Sequence, residues 1–243
     1  MASSERDADR ARYVQDMFAA VARRYDLANH VLSGGLDYRW RARAARACGH
    51  ATEGTVLDLC TGTGDQAVAL LKRPGRWWRV VACDFSRPML LRARAKLAKA
   101  GLGRRAALLE ADALRLPLGD RSVDACVCAF GLRNLADMRR GLAEMVRVVR
   151  AGGRVVVLEF HRPCGSGLLA AAFGLYFRRI LPRLGRWISG RDRGGYRYLV
   201  ESVDAFGSAE AVVEAMRAAG LEGVRTEPLP GGICALFVGR KSR

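Results

Sequence analysis

The chain is poor in lysine and histidine and has no paired cysteine motif. Only four of its 41 basic residues are lysine; the other 37 are arginine, and against 24 acidic residues they leave a formal charge of +17. Seven cysteines are an odd count, and no two are spaced Cys-x-x-Cys. That argues against a zinc site and for a reducing cytoplasm. Cys60, Cys83, Cys126 and Cys128 fall in apolar runs that read as buried strands, where a free thiol acts as a small hydrophobe. No signal peptide is expected at the start. The longest apolar run, Leu168 to Phe177, is ten residues, too short to span a bilayer. No internal repeat and no linker divides the 243 residues, so one α/β domain with a full core is expected over 1–243. The arginine excess suits an anionic membrane surface or a nucleic acid, and equally a compositional bias, since Arg and Ala recur even on helix faces expected to be exposed.

What is present centres on Thr55-Val56-Leu57-Asp58-Leu59-Cys60-Thr61-Gly62-Thr63-Gly64-Asp65. A short apolar run breaks into glycines and resumes as Gln66-Ala67-Val68-Ala69-Leu70-Leu71. Strand, glycine turn and helix in that order let backbone N–H groups approach a ligand closely. Twenty residues after Gly64, the apolar run Val80-Val81-Ala82-Cys83 ends in Asp84. An acid at the tip of the neighbouring strand is placed to accept from both hydroxyls of a ribose. Asp65 puts negative charge where a dinucleotide's pyrophosphate would sit. With Asp58 and Asp84 it favours a ligand carrying an ammonium and a sulfonium, so Gly62, Thr63, Gly64, Asp65 and Asp84 point to S-adenosylmethionine (SAM).

Around this centre strands are predicted at 55–60, 79–84, 106–110, 123–129 and 154–160, and helices at 65–72, 87–100 and 136–150. Met138, Leu142, Met145, Val146 and Val149 form the stripe of the last, which should stop at Ala151-Gly152-Gly153. Strand–helix alternation predicts a parallel sheet covered on both faces. A helix at 208–219 and strands near 222–227 and 233–238 should add a hairpin at the sheet edge. Two helices before the first strand, at 11–22 and after Ser33-Gly34-Gly35, are expected to pack outside the nucleotide domain as a cap (1–50). Residues 161–205 read as a lid-like insertion. The whole is a Rossmann-like class I methyltransferase architecture: a mostly parallel seven-stranded sheet with a terminal antiparallel strand.

Ligands in such sheets lie beyond the carboxyl ends of the strands. The third strand is followed by Asp112-Ala113, placed to accept from the adenine amino group and to pack beside it. The fourth ends in Ala129-Phe130-Gly131-Leu132-Arg133-Asn134, where the substrate should meet the methyl donor. The Asp/Asn-Pro-Pro-aromatic tetrad of RNA and DNA amino-methyltransferases is absent there. Cys126 and Cys128 share one buried face and read as core. None of His30, His50 and His161 lies nearby to serve the base that a phenol-oxygen or amine methyltransferase would prefer.

Three segments carry a resemblance: Phe130-Gly131-Leu132-Arg133-Asn134; Glu144-Met145-x-Arg147-Val148-x-x-x-Gly152-Gly153-Arg154; and Leu158-Glu159-Phe160. Together they resemble the quinone-biosynthesis C-methyltransferases. Tyr25-Asp26-x-x-Asn29-x-x-x-Ser33 and Tyr196-Arg197-Tyr198-Leu199-x-Glu201-Ser202 resemble that family's flanking signatures, so the match runs from about residue 12 to 240. The chain departs from the family's usual residues at Ala28, Asp37-Tyr38 and Ala129. The resemblance implies that Thr63, Asp84, Asp112 and Ala113 bind SAM. It implies C-methylation of demethylmenaquinol or, alternatively, of the methoxy-benzoquinol precursor of ubiquinone.

A phenol with a pKa of about 10 is only about one part in a thousand ionised at pH 7. A nearby guanidinium lowers such a pKa by roughly 1–3 units. Arg133 is therefore the expected activator, Asn134 a donor to the same oxygen, and Tyr25 or Asp26 the proton relay. The expected partner is an isoprenoid hydroquinone, with no nucleic acid; a homodimer is left open. Leu168 to Phe177, followed by Arg178, Arg179, Arg183, Arg186 and Trp187, is apolar and then basic. It suits a lid resting on anionic headgroups as well as one packed in the domain. The expected location is the cytoplasm, with peripheral attachment to the inner face of the membrane left open.

Overall fold

The computed structural model describes residue 30 and residues 33–49, 52–160, 202, 206–230 and 234–243. Tyr25, Asp26, the first predicted helix and the stretch 168–187 lie outside the described residues.

Seven strands form one sheet: β1 (Glu53–Leu59), β2 (Trp77–Asp84), β3 (Ala106–Glu110), β4 (Val123–Ala129), β5 (Val149–Phe160), β6 (Leu221–Pro228) and β7 (Cys234–Lys241). Their order is β3-β2-β1-β4-β5-β7-β6. The first five run parallel, and β7 enters antiparallel between β5 and β6. The described helices are α1 (Leu36–Ala47), α2 (Asp65–Leu71), α3 (Arg87–Lys99), α4 (Met138–Val148) and α5 (Ala209–Ala218). None of the described helices is long and apolar enough to cross a membrane.

The carboxyl half of β1, Val56 to Leu59, is buried because it is covered on both faces. Val56 packs with Ala67 and Leu70 of α2 and with Trp40, Ala44 and Ala45 of α1. Leu57 and Leu59 belong to the buried cluster on the other face, with Leu142 and Met145 of α4 and Val212 and Met216 of α5. The strand order reverses between β2 and β4, on either side of β1, and that reversal opens a crevice at the carboxyl ends.

Two expectations are corrected. The helix after Gly35 does not pack outside the domain. Trp40 is 2% exposed and its Nε1 donates to Pro230 O at 2.9 Å, so α1 is a layer of the core. Trp40, Ala44, Ala45 and Cys48 recur at helical spacing on the face that meets the sheet. Second, α4 ends at Val148 rather than at the glycines. Val149 is already extended (φ −77°, ψ 138°) and begins β5, which runs through Ala151-Gly152-Gly153. A Cβ on Gly153 would stand 2.6 Å from Asp124 O. Glycine serves close approach to β4 there, not a helix stop.

Candidate active site

β1 ends at Leu59, one residue earlier than its apolar run suggests. Cys60 turns out of the strand with φ 56°, and its thiol adjoins that of Cys128. That hydrogen bond, together with burial, pushes the Cys60 thiol well above its ordinary pKa, which leaves it a poor nucleophile. Gly62 (φ 56°) and Gly64 (φ 88°) then form the turn into α2. A Cβ on Gly64 would meet Ala93 Cβ of α3 at 3.1 Å, whereas nothing lies within 4 Å of one on Gly62. Gly64 thus lets two helices close up, while the loop at Gly62 stays bare toward open space, as a ligand-cradling turn requires.

That space is a cavity of about 360 Å³, within the range of small-ligand sites. It runs across the strand tips in sheet order. Asp112 and Ala113 line it after β3, Asp84 at the end of β2, Gly62, Thr63 and Asp65 after β1, and Phe130, Gly131 and Asn134 after β4. Asp84 is 7% exposed; its Oδ2 accepts from Gly62 N at 2.8 Å and its Oδ1 from Ser86 N at 2.9 Å. Burial raises its pKa and these backbone donors oppose the rise. A third backbone hydrogen bond, from Phe85, also favours the ionised form. Asp112 Oδ1 accepts from Leu114 N at 2.8 Å, which shapes the loop. Asp65 opens α2 and is ion-paired to Lys96, whose Nζ also donates to Thr63 Oγ1 at 3.1 Å. The charge expected of Asp65 is thus partly neutralised from within the protein. His30 approaches its other oxygen at 3.8 Å and Asp37 at 2.7 Å.

Asp58, inside β1, is fully buried, and Oδ1 has no hydrogen-bond partner among the described residues. Thr61 Oγ1 donates to Oδ2. Burial lifts its pKa from 3.8 to about 7. Between those values the folded protein keeps a proton that the unfolded chain has released. Stability should therefore be highest at the acid end of the window, fall by at most about 4 kcal/mol as pH rises through it, and level off above. Urea unfolding from pH 4 to 8 should show that decline in the parent and lose most of it in Asp58→Asn.

Arg133 follows β4, as expected, in a 3₁₀ turn, Leu132–Asn134; it is not among the described residues that line this cavity. Nη1 donates to Glu159 Oε1 and to Phe130 O, both at 2.7 Å, and Nε donates to Ser202 Oγ at 3.3 Å. Its backbone N–H donates to Glu159 Oε2 at 3.2 Å. A guanidinium so paired has its charge answered by Glu159, and it fixes the turn that carries Phe130 and Asn134. Asn134 does reach the cavity, with Nδ2 donating to Phe130 O at 3.3 Å. A Cβ on Gly131 would overlap Cys60 Cβ at 2.4 Å, so the β4 turn can press against the β1 turn only through glycine. Arg41, on α1, also lines the cavity. Sequence reasoning missed it because α1 was placed outside the domain, although the helical spacing of Trp40, Ala44 and Ala45 could have revealed which face is buried.

Residues 5–241 match the model of the ubiE/COQ5 methyltransferase family. The chain belongs to that family. The demethylmenaquinone methyltransferase of Deinococcus radiodurans is 49% identical over 96% of this chain and 94% of its own. That of Thermus thermophilus is also 49% identical, over 92% of this chain and 99% of its own. Among solved structures, a SAM-dependent methyltransferase of Thermotoga maritima, titled a possible histamine N-methyltransferase, superposes with a TM-score of 0.64. It is 20% identical and covers 94% of this chain and all of that one. At that identity the likeness concerns the fold alone. In this chain the Gly62–Asp65 turn, Asp84 and the residues Phe130, Gly131 and Asn134 stand around one crevice.

Proposed function

We propose that this protein methylates a ring carbon of demethylmenaquinol with SAM as donor. The reading rests on one observation above all: a bare glycine turn and a buried strand-tip carboxylate share a cavity with the Phe130–Asn134 turn, in a chain 49% identical to demethylmenaquinone methyltransferases. In this reading SAM supplies an electrophilic methyl group. The Asp112–Ala113 loop takes the adenine and Asp84 the ribose hydroxyls, while the Gly62–Asp65 turn supports the sulfonium end. Asn134 donates to the phenolic oxygen and draws it toward phenolate, which makes the neighbouring ring carbon nucleophilic. Arg133 acts as a positioning residue through Glu159 and the turn. Tyr25 or Asp26 takes the phenolic proton; as the ring carbon takes the methyl, S-adenosylhomocysteine leaves, and that carbon then loses its own proton to restore the aromatic phenol. Alignment of acceptor and donor supplies much of the remaining acceleration. Peripheral attachment to an anionic membrane is part of the proposal, supported by the +17 charge and the apolar-then-basic run from Leu168 to Trp187.

The test is turnover of demethylmenaquinol with SAM, with the methoxy-benzoquinol as competing acceptor. The naphthoquinol should be preferred. Removing one donor to a developing oxyanion lowers kcat by roughly 10²–10³-fold. Asn134→Ala should therefore lose about a hundredfold in kcat while S-adenosylhomocysteine affinity is unchanged. Unaltered turnover would remove Asn134 from the reaction.

A further inference from the structure

One cation on the cavity wall has no assigned task. Among the described residues that line the cavity, Arg41 is the only lysine or arginine. Its side chain is 8% exposed, and Nε is buried with no hydrogen-bond partner among the described residues. The nearest carboxylate oxygen, Asp37 Oδ2, stands 3.9 Å from Nε, beyond hydrogen-bond range. The guanidinium lies 5.1 Å over the Phe130 ring, and Gln66 Nε2 donates to Arg41 O at 3.3 Å, tying α1 to the first turn of α2. The Phe130 ring faces the guanidinium and Gln66 fixes the backbone of its helix, while the buried Nε has only a long ion pair to Asp37 and no hydrogen bond. A buried guanidinium in that state favours an anion that completes it.

The geometry of the strand tips says which anion. Taken with the donor orientation above, on which this inference rests, adenine lies by β3 and ribose by β2. The amino-acid end of SAM then continues over β1 toward β4, where Arg41 and Phe130 stand. That end carries a carboxylate. We propose that Arg41 is the carboxylate-binding residue of the methyl donor, its guanidinium receiving the methionine α-carboxylate at the end of the cavity opposite Asp112. The planar fork matches a carboxylate, and the Phe130 ring 5.1 Å away helps hold it at the cavity wall.

Calorimetric titration separates this role from others. S-adenosylhomocysteine has the amino-acid tail; 5′-methylthioadenosine keeps the adenine, ribose and sulfur and lacks it. Arg41→Met should weaken S-adenosylhomocysteine by roughly 10- to 100-fold, the range for a lost charge-assisted hydrogen bond. Methylthioadenosine binding should stay within about threefold, and it reports that the variant is folded. Arg41→Lys should recover part of the loss, and it serves as the variant to read if Arg41→Met does not fold. Equal weakening of both ligands would overturn the proposal. So would unchanged S-adenosylhomocysteine affinity with lowered turnover, which would turn Arg41 toward the quinol oxygen. Failure of the parent to bind methylthioadenosine would instead reject the donor orientation, and this inference with it.

Discussion

Asp84→Ala should leave the protein folded and unable to bind its donor at ordinary concentrations. The carboxylate is nearly buried and is aimed by backbone donors of Gly62, Ser86 and Phe85. If each ribose hydroxyl gains a hydrogen bond to that charge, the two together are worth about 3–6 kcal/mol, or roughly 10²–10⁴-fold in affinity. The effect on stability should be smaller. Burial already disfavours the ionised group and raises its pKa, so removing it relieves a desolvation penalty while the backbone hydrogen bonds from Ser86, Gly62 and Phe85 are lost. Titration with S-adenosylhomocysteine beside a thermal melt separates the two. Loss of affinity under about fivefold would show that the sugar does not sit on this acid.

Breaking the Arg133–Glu159 pair should produce the largest loss of stability. Glu159 is fully buried, and its two oxygens accept from Arg133 N, Arg133 Nη1 and Phe160 N. Removal of one member of such a pair costs about 3–5 kcal/mol, because the survivor is left as an uncompensated buried charge. Glu159→Ala should lower the free energy of urea unfolding by that amount. The double change Arg133→Met with Glu159→Leu should regain most of it, since no charge then remains buried. If the two single losses simply add in the double variant, the ion pair is not what holds the turn.

The alternation of β1 to β5 with helices was legible because each strand is an apolar run closed by glycine or acid, and each helix carries its own periodicity. Asp84 was legible for the same reason: its place depends on one strand and its neighbour. The strand hairpin at 221–241 was also foreseen, since a short connection between two β-runs leaves little else. Other features depend on residues distant in the chain. Nothing near Arg133 announces Glu159, its partner 26 positions later on β5. The end of α4 was misplaced because glycines after a helical stripe read as a stop. Gly153 instead lies against the β4 backbone at Asp124 O, and Gly152 faces the Arg240 side chain. Lys96, on α3, neutralises Asp65 across the fold and is equally invisible locally.

The central claim is that this site makes an aromatic ring carbon, rather than an oxygen, the acceptor of a sulfonium methyl. Its most direct test supplies the enzyme with SAM carrying a ¹³C methyl and with reduced demethylnaphthoquinone, and locates the label by NMR. The label should appear as a methyl on the ring carbon, with S-adenosylhomocysteine formed one for one. A methoxy signal, or donor consumption with no labelled quinol, would contradict it.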